Sequence, residues 1–229
     1  MGKGVDQELL FLKMHNSRIS DSKLASFINK SPQYVNYNVN KLEENEVIAG
    51  YYALFDYAFF NLIHIRVYFR GAYTSQQALR KLVNCLSEHP YVTSIENVGG
   101  QWDLCVTFLS PNPSRFNKEL KTLISLYPEL NTYDVAINVV SHFYSQKYLV
   151  QEKRRQYPVT NDVVLGGDKT FRFLNSKEKK LLYAFYLQPN TRFLSLSQGL
   201  GINIKTAIKM VRELEQQKII KGYRGIFNH

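Results

Sequence analysis

Two short segments of the chain carry side chains that can hydrogen-bond or neutralise a polar partner. The first segment is Ser31–Leu42. Its candidate contact residues, which lie off the apolar positions Val35, Val39 and Leu42, are Gln33, Tyr34, Asn36, Tyr37, Asn38 and Lys41. The side-chain amide of Asn or Gln has a hydrogen-bond donor next to an acceptor. This pair matches the N7 acceptor and the N6 donor that adenine presents in the major groove of DNA. This segment holds a single cation, so we expect it to contact bases more than phosphates. The alternative for Tyr34 and Tyr37 is packing within their own module or against a partner subunit.

The second segment is basic, and its candidate contact residues are Lys205, Thr206, Lys209 and Arg212. Cations of this kind neutralise phosphates whatever the base sequence. The surrounding charge agrees, because residues 170–229 hold 11 Lys and Arg against 3 Asp and Glu, whereas residues 1–60 have a net charge of −1. Almost all of the chain's net charge of +10 therefore lies in the last quarter. For Thr206, a phosphate contact and simple packing remain equal alternatives.

Helices are needed to position both segments, and the sequence contains their signals. Ser31 and Asn203 are good N-cap residues, because a short polar side chain satisfies a free backbone N–H. Pro32 suits the first helical position. Apolar residues then recur at spacings of four and three, which predicts one buried stripe on each helix. These stripes are Val35, Val39 and Leu42 in the first segment, and Ala207, Val211 and Leu214 in the second.

The two helices belong to a longer internal repeat. Residues 42–51 read LEENEVIAGY and residues 214–223 read LEQQKIIKGY, an offset of 172 positions. Short helices are predicted just before, at 24–30 and 196–202, and first helices at 5–15 and 176–187. Segments typical of strands follow at 48–56 and 220–227. Three helices with a tight turn between the last two, then a strand, predict a winged helix-turn-helix near each end of the chain.

The first repeat resembles the leucine-responsive regulator/asparagine regulator (Lrp/AsnC) family. The matching residues are Asp6, Leu9, Leu10, Arg18, Ser20, Leu24, Ala25, Ser31, Val35, Val39, Leu42, Glu43, Ile48, Gly50 and Tyr51. The second repeat matches more loosely, at Thr206, Val211, Leu214, Glu215, Ile220, Gly222 and Tyr223. Two family positions differ in both repeats. The usual Gly is Glu46 or Lys218, and the usual Arg of the DNA-contacting helix is Asn38 or Met210.

The middle of the chain predicts a different domain. Residues 63–69 alternate strictly between apolar and polar side chains, which is typical of a half-buried strand. Helical spacing follows at 75–88 and 116–124, and strands are predicted at 91–98, 102–110 and 132–140. The order strand, helix, strand, strand, helix, strand is ferredoxin-like. The predicted fold class is therefore α+β: a winged helix-turn-helix, a ferredoxin-like βαββαβ domain and a second winged helix-turn-helix.

The resemblance also extends to this middle domain, which in the family binds a small-molecule effector and forms a dimer. It implies an amino-acid effector near Gly99, Gly100 and Asp103, within the segment GGQWDL. The alternative is that Asp103 only accepts hydrogen bonds from backbone N–H groups of its own turn. The resemblance further implies a homodimer or higher homo-oligomer through the sheet, whose second face is of mixed polarity.

We predict domains at 1–60, 61–149 and 171–229, with a linker at 150–170. Within the linker, Lys153–Arg155 could touch the DNA backbone or form a solvated helix end. No apolar run is long enough to cross a membrane, no signal segment is evident, and Cys85 and Cys105 lack metal-type spacing. We therefore expect a cytoplasmic protein with reduced thiols and without a metal or cofactor.

The function predicted from these patterns is a sequence-specific transcription regulator that binds double-stranded DNA. No sequence motif of a known catalytic site is present, so no catalytic residue is predicted. Two alternatives remain open. Sirohaem decarboxylases resemble the same arrangement of a helix-turn-helix and a ferredoxin-like domain, although the basic C-terminal repeat has no use in such an enzyme. The other alternative is a DNA-packaging protein without sequence preference.

Overall fold

The computed structural model describes residues 6–71, 75–144 and 163–228. The chain forms two compact units. The first, called here the terminal unit, contains residues 6–56 and 173–228 together with 142–144 and 163–164. The second, called the middle unit, contains residues 57–141 and 165–172. The predicted linker at 150–170 lies mostly outside the described residues, and so do Lys153–Arg155.

The first half of the terminal unit consists of three helices and a strand. They are α1 (Gln7–His15), α2 (Asp21–Ile28), α3 (Pro32–Glu44) and β1 (Ile48–Phe55). Each helix has a side-chain N-cap, and the Ser31 hydroxyl accepts from the Tyr34 N–H at 3.1 Å. The stripe of α3 packs into a core with α1 and α2, formed by buried residues that include Leu9, Leu12, Leu24, Ala25, Val35 and Val39.

The second half repeats the same element order. It consists of α6 (Ser176–Leu187), α7 (Phe193–Leu200), α8 (Ile204–Gln216) and β8 (Ile220–Phe227). Asn203 caps α8 by accepting from the Lys205 N–H at 2.8 Å. The predicted stripe on this helix, Ala207, Val211 and Leu214, is buried. Both halves therefore form their third helix from the same local signals.

Local details recur at the offset of 172 residues. Glu46 and Lys218 stand where the Lrp/AsnC pattern has Gly, and both have left-handed backbone conformations, with φ of 56° and 62°. The Tyr51 hydroxyl donates to Glu43 in the first half, and the Tyr223 hydroxyl donates to Glu215 at 3.0 Å in the second. Burial raises the pKa of both tyrosines, and the carboxylates add to the effect. The turn after the third helix is therefore built in the same way twice.

The strands β1 and β8 pair with each other in antiparallel orientation, which the sequence did not predict. The segments at 48–56 and 220–227 were expected to be the wings of two separate modules. Instead, each strand finds its hydrogen-bond partner in the opposite half, and both ends of the chain join one compact unit. The division into domains at 1–60, 61–149 and 171–229 stays a prediction, whereas the first and last of these segments belong to one compact unit in the structure.

The middle unit has the predicted element order. It comprises β2 (Ile63–Arg70), α4 (Gln76–Ser87), β3 (Val92–Asn97), β4 (Leu104–Ser110), α5 (Pro113–Leu126) and β5 (Thr132–Asn138). The strands are antiparallel in the order β3-β4-β2-β5. One face packs against the two helices around a core that includes Ile65, Val67, Phe69, Leu86, Val106 and Phe108.

Two further strands, β6 (Val140–Phe143) and β7 (Val163–Gly166), form a small sheet of their own. Short 3-10 helices occur at Tyr57–Phe60 and Pro128–Asn131. Among the helices within the described ranges, none is long and apolar enough to cross a membrane.

Candidate nucleic-acid interface

The outer face of α3 brings several of the predicted contact residues together. Gln33, Asn36, Tyr37 and Lys41 are exposed, and Tyr37 keeps 66% of its surface accessible. This face of α3 points to solvent because the opposite face, with Val35, Val39 and Leu42, is buried. The Asn36 amide also donates to the Asp21 carboxylate at 3.4 Å, a long bond that links α3 to the first turn of α2. The face therefore presents amide groups in a chemical environment with little positive charge.

Two predicted residues of α3 are used within the module. Tyr34 is half-buried, and its hydroxyl donates to the Asp6 carboxylate at 3.3 Å, while Lys30 lies over its ring. Burial and the nearby Asp6 raise the pKa of Tyr34. The Asn38 amide donates to the Tyr34 carbonyl at 2.9 Å. These contacts support the packing alternative for Tyr34. The amide of Asn38 bonds to the backbone of its own helix.

Sequence reasoning missed Asn40, which is exposed beside the predicted residues. Its amide donates to the Asn36 side-chain oxygen at 3.4 Å. An open groove runs along this surface, and its lining includes Gln33, Asn36, Tyr37, Asn40 and Lys41. The signal that could have found Asn40 is its position seven residues after Gln33, which places both on one helical face.

The outer face of α8 is basic. Lys205, Thr206, Lys209 and Arg212 are all exposed. Lys209 forms an i,i+4 ion pair with Glu213 at 3.8 Å, with both side chains largely in solvent. Such a pair contributes little to stability and leaves the ammonium group available to a stronger anion. This face can neutralise phosphates, and it carries no Asn or Gln amide before Gln216.

The predicted effector residues surround a turn of the middle unit. Gly99 and Gly100 are exposed, and Gly100 has a φ of 90°. Asp103 is half-buried, and its Oδ2 accepts from the Gly71 N–H at 2.6 Å. The carboxylate therefore accepts from a backbone N–H, but this donor is Gly71, 32 residues earlier and just after β2, and not a residue of its own turn as the alternative interpretation expects. That bond uses one of the two carboxylate oxygens, so it does not exclude a ligand.

The comparisons with known proteins agree with the N-terminal geometry. Residues 5–49 match a family model described as winged helix-turn-helix DNA-binding. A relative from Pyrococcus abyssi, described as an uncharacterized HTH-type transcriptional regulator, is 23% identical over 53% of this chain and 82% of its own.

Solved structures extend the likeness to the fold. An AsnC family transcriptional regulator from Agrobacterium tumefaciens has a TM-score of 0.54 at 22% identity, over 64% of this chain and 95% of that chain. The sirohaem decarboxylase NirDL has a TM-score of 0.59 at 14% identity, over 97% of this chain and 66% of that chain. Identities this low indicate shared fold only. The first half of the terminal unit is a winged helix-turn-helix, and the chain shares the fold of AsnC-type regulators.

Proposed function

We propose that this protein is a sequence-specific, DNA-binding transcription regulator, and that α3 is its recognition helix. The observation that carries the proposal is the amide-rich outer face of α3, within the segment that matches a DNA-binding winged helix-turn-helix. A helix of this motif enters the major groove and presents side chains to base edges. Gln33 and Asn36 are the residues to which we assign base contacts.

We further propose that α6–α8 and β8 form a second DNA-binding winged helix-turn-helix. Support comes from the repeated caps, stripes and left-handed turns, and from the fold likeness that covers 97% of the chain. In this second copy, Lys205, Lys209 and Arg212 contact phosphates. Phosphate contacts are independent of sequence, so α8 supplies most of the affinity while α3 supplies much of the sequence preference.

A small polar effector, an amino acid by analogy with the family, is proposed near Gly99, Gly100 and Asp103. Thermal-shift screening of the twenty amino acids tests this site with two variants. Asp103→Asn keeps an oxygen that can accept from Gly71, whereas Asp103→Ala removes it. An amino acid whose ammonium group pairs with the negative charge of Asp103 should raise the melting temperature of the wild type. It should not raise that of either variant. A screen without any stabilising amino acid would leave Asp103 with its hydrogen bond to the Gly71 N–H alone.

The middle unit is proposed to form a two-fold dimer, through an apolar edge instead of the sheet face expected from the sequence. On that second face, Cys105 and Thr107 are already buried within the chain. The edge strand β5 exposes Val135 and Ile137, which lie opposite Val67 and Ile65 on the core side. Light scattering should find twice the 26.7 kDa chain mass. Ile137→Asp should halve it, while Leu126→Asp, also 63% exposed, should not.

Selection of bound duplexes from a random pool tests the proposed function directly. The wild-type protein should enrich a defined motif. A variant with Gln33→Ala and Asn36→Ala should enrich a degenerate one, whereas the matched amide control, Gln77→Ala with Asn117→Ala in the middle unit, should return the wild-type motif. Binding without any enriched motif would favour the DNA-packaging alternative.

The second candidate function is a sirohaem-decarboxylase-like activity, favoured by the fold likeness over nearly the full chain. Titration with iron-uroporphyrin III, whose analogue is bound in one structure of that enzyme, distinguishes the two. A saturable shift of the Soret band would support the enzyme. We expect no such shift, because the strongly basic surface of α8 fits a polyanionic duplex better than a buried catalytic pocket.

A further inference from the structure

The two halves of the terminal unit are related by a pseudo-two-fold axis. Tyr52 pairs with Arg224, and these residues are 172 positions apart, the same offset as the sequence repeat. The neighbouring pair Tyr51–Gly225 maps by that offset onto the pair Ala53–Tyr223. Likewise, Gly50–Ile226 maps onto Leu54–Gly222. An antiparallel ladder centred on equivalent residues has the geometry of an isologous dimer, here within one chain.

Contacts beyond the ladder hold the halves together. α1 packs against β8, and α6 packs against β1, so each first helix contacts the strand of the other half. Ser17 donates to the Asn190 side chain at 2.7 Å, and Arg224 donates to the His15 carbonyl at 2.8 Å. Lys221 lies 3.4 Å from the fully buried carboxylate of Asp56. These contacts fix α3 and α8 relative to each other as a pair.

We infer that one chain forms a complete pair of recognition helices, and that its DNA target is a non-palindromic site with two different half-sites. This inference rests on the proposed function. A pair of helix-turn-helix motifs related by two-fold symmetry binds half-sites about one helical turn, or a multiple of it, apart. A homodimer presents the same helix twice and binds a palindrome. Here the two helices differ, with amides on α3 and cations on α8, so the half-sites differ as well.

Stoichiometry tests the inference first. Native mass spectrometry of the full-length protein with a selected duplex should give one duplex for each chain. The ratio is the same for a monomer with one duplex and for a dimer with two. Two chains on a duplex that carries a single copy of the motif would overturn the inference, because each chain would then supply only one helix to the site.

The selected sequence provides the second test. We expect an asymmetric motif in two parts. Scrambling either part should weaken binding, at least about tenfold for the part contacted by α3. Inserting 5 base pairs between the parts turns one by about half a helical turn and should weaken binding about as much as scrambling the part contacted by α8. A palindromic motif, or an insertion without effect, would contradict the inference and leave the proposed function intact.

Single-helix variants assign the two parts. Asn36→Ala should reduce discrimination at one part only, while Lys205→Ala with Lys209→Ala should weaken the contribution of the other part. Arg80→Ala with Lys118→Ala, a pair of exposed charges in the middle unit, is the matched control and should change neither. If both recognition variants affect the same part, the two-helix assignment is wrong. If no motif is enriched at all, the proposed function itself fails.

Discussion

The guanidinium carbon of Arg18 lies 5.1 Å from the ring centroid of Tyr223, although the two residues are near opposite ends of the chain. The rings of Phe185 and Phe193 lie at 4.8 and 5.0 Å from the same carbon. One guanidinium nitrogen also donates to the carbonyls of Pro189 at 2.7 Å and Thr191 at 2.8 Å. Burial lowers the pKa of Arg18, but an arginine stays charged at any pH at which the protein folds. Arg18 therefore joins the first half of the terminal unit to the second.

Replacing Arg18 with Ala should reduce the free energy of unfolding by about 2–4 kcal/mol. The change removes a partly desolvated cation–π cluster and two charged hydrogen bonds. Chemical denaturation measures the difference. Lys23→Ala, at an exposed position of α2, is the control and should change stability by less than about 0.5 kcal/mol. Equal stabilities of the two variants would show that Arg18 does not hold the halves together.

The residues with left-handed backbone conformation after α3 and α8 are not glycines, so replacing them with Gly should increase the free energy of unfolding. Glu46 and Lys218 have φ of 56° and 62°, a conformation that costs an L-residue with a side chain about 1–2 kcal/mol. Glu46→Gly and Lys218→Gly should each stabilise the protein, by about 1 kcal/mol in thermal unfolding. Glu44→Gly, two residues earlier at the helical end of α3, should instead destabilise it by about 1 kcal/mol. Destabilisation by all three changes would rule out strain at these turns.

His64 gives the middle unit a pH-dependent stability. The Asn138 amide donates to its Nδ1 at 2.9 Å, which fits a neutral ring. Burial lowers the pKa of His64 from its ordinary value of 6.5, and the charge on Arg66 lowers it further. As the pH falls below 6.5, the unfolded chain takes up the proton before the folded chain does. Folded stability therefore decreases with decreasing pH until the folded pKa is reached.

Replacing His64 with Asn should remove this part of the pH dependence, because the Asn oxygen can still accept from Asn138. Melting temperatures at about pH 7.5 and pH 5, on either side of the ordinary histidine pKa, should differ less in the variant than in the wild type. Carboxylates titrate in both proteins and shift both melting temperatures. The contribution of His64 is therefore the difference between the two proteins in how much the melting temperature changes with pH. Identical pH profiles would mean that His64 is not protonated differently on unfolding.

The basic face of α8 should control the salt dependence of DNA binding. Replacing Lys205, Lys209 and Arg212 with Ala should weaken binding to all duplexes, and lower the salt slope by about 0.9 for each phosphate that is no longer neutralised. A variant with Arg80, Lys118 and Lys121 replaced by Ala removes the same charge from the middle unit. If both triple variants weaken binding equally, the net charge of the protein determines its affinity for DNA, and α8 does not supply most of that affinity.

Much of the local structure could be predicted from the sequence, because its signals lie close together along the chain. Ser31, Pro32 and the stripe from Val35 to Leu42 are enough to define α3 and its buried side. The predicted order of strands and helices in the middle unit is also confirmed. Even the positions of Glu46 and Lys218, where a Gly was expected, have the backbone conformation that a Gly would adopt.

Long-range pairing could not be predicted in the same way. The bond between Tyr34 and Asp6 joins residues 28 positions apart, and the ladder between Tyr52 and Arg224 joins residues 172 apart. Strand pairing depends on which edge is available after the helices have packed, and a strand's own sequence does not name its partner. For this reason two separate wings were predicted where one shared ladder exists.

The proposed base contacts of α3 are tested most directly by fluorescence anisotropy on two duplexes, the selected site and a scrambled sequence, at one salt concentration. The wild-type protein should prefer its site by at least about 10³-fold. Replacing Gln33 and Asn36 with Ala should shrink this preference by roughly 1–3 kcal/mol for each bidentate hydrogen-bond pair removed, and leave affinity for the scrambled duplex unchanged. An unchanged preference, or an equal decrease of affinity for both duplexes, would contradict recognition of base sequence by α3.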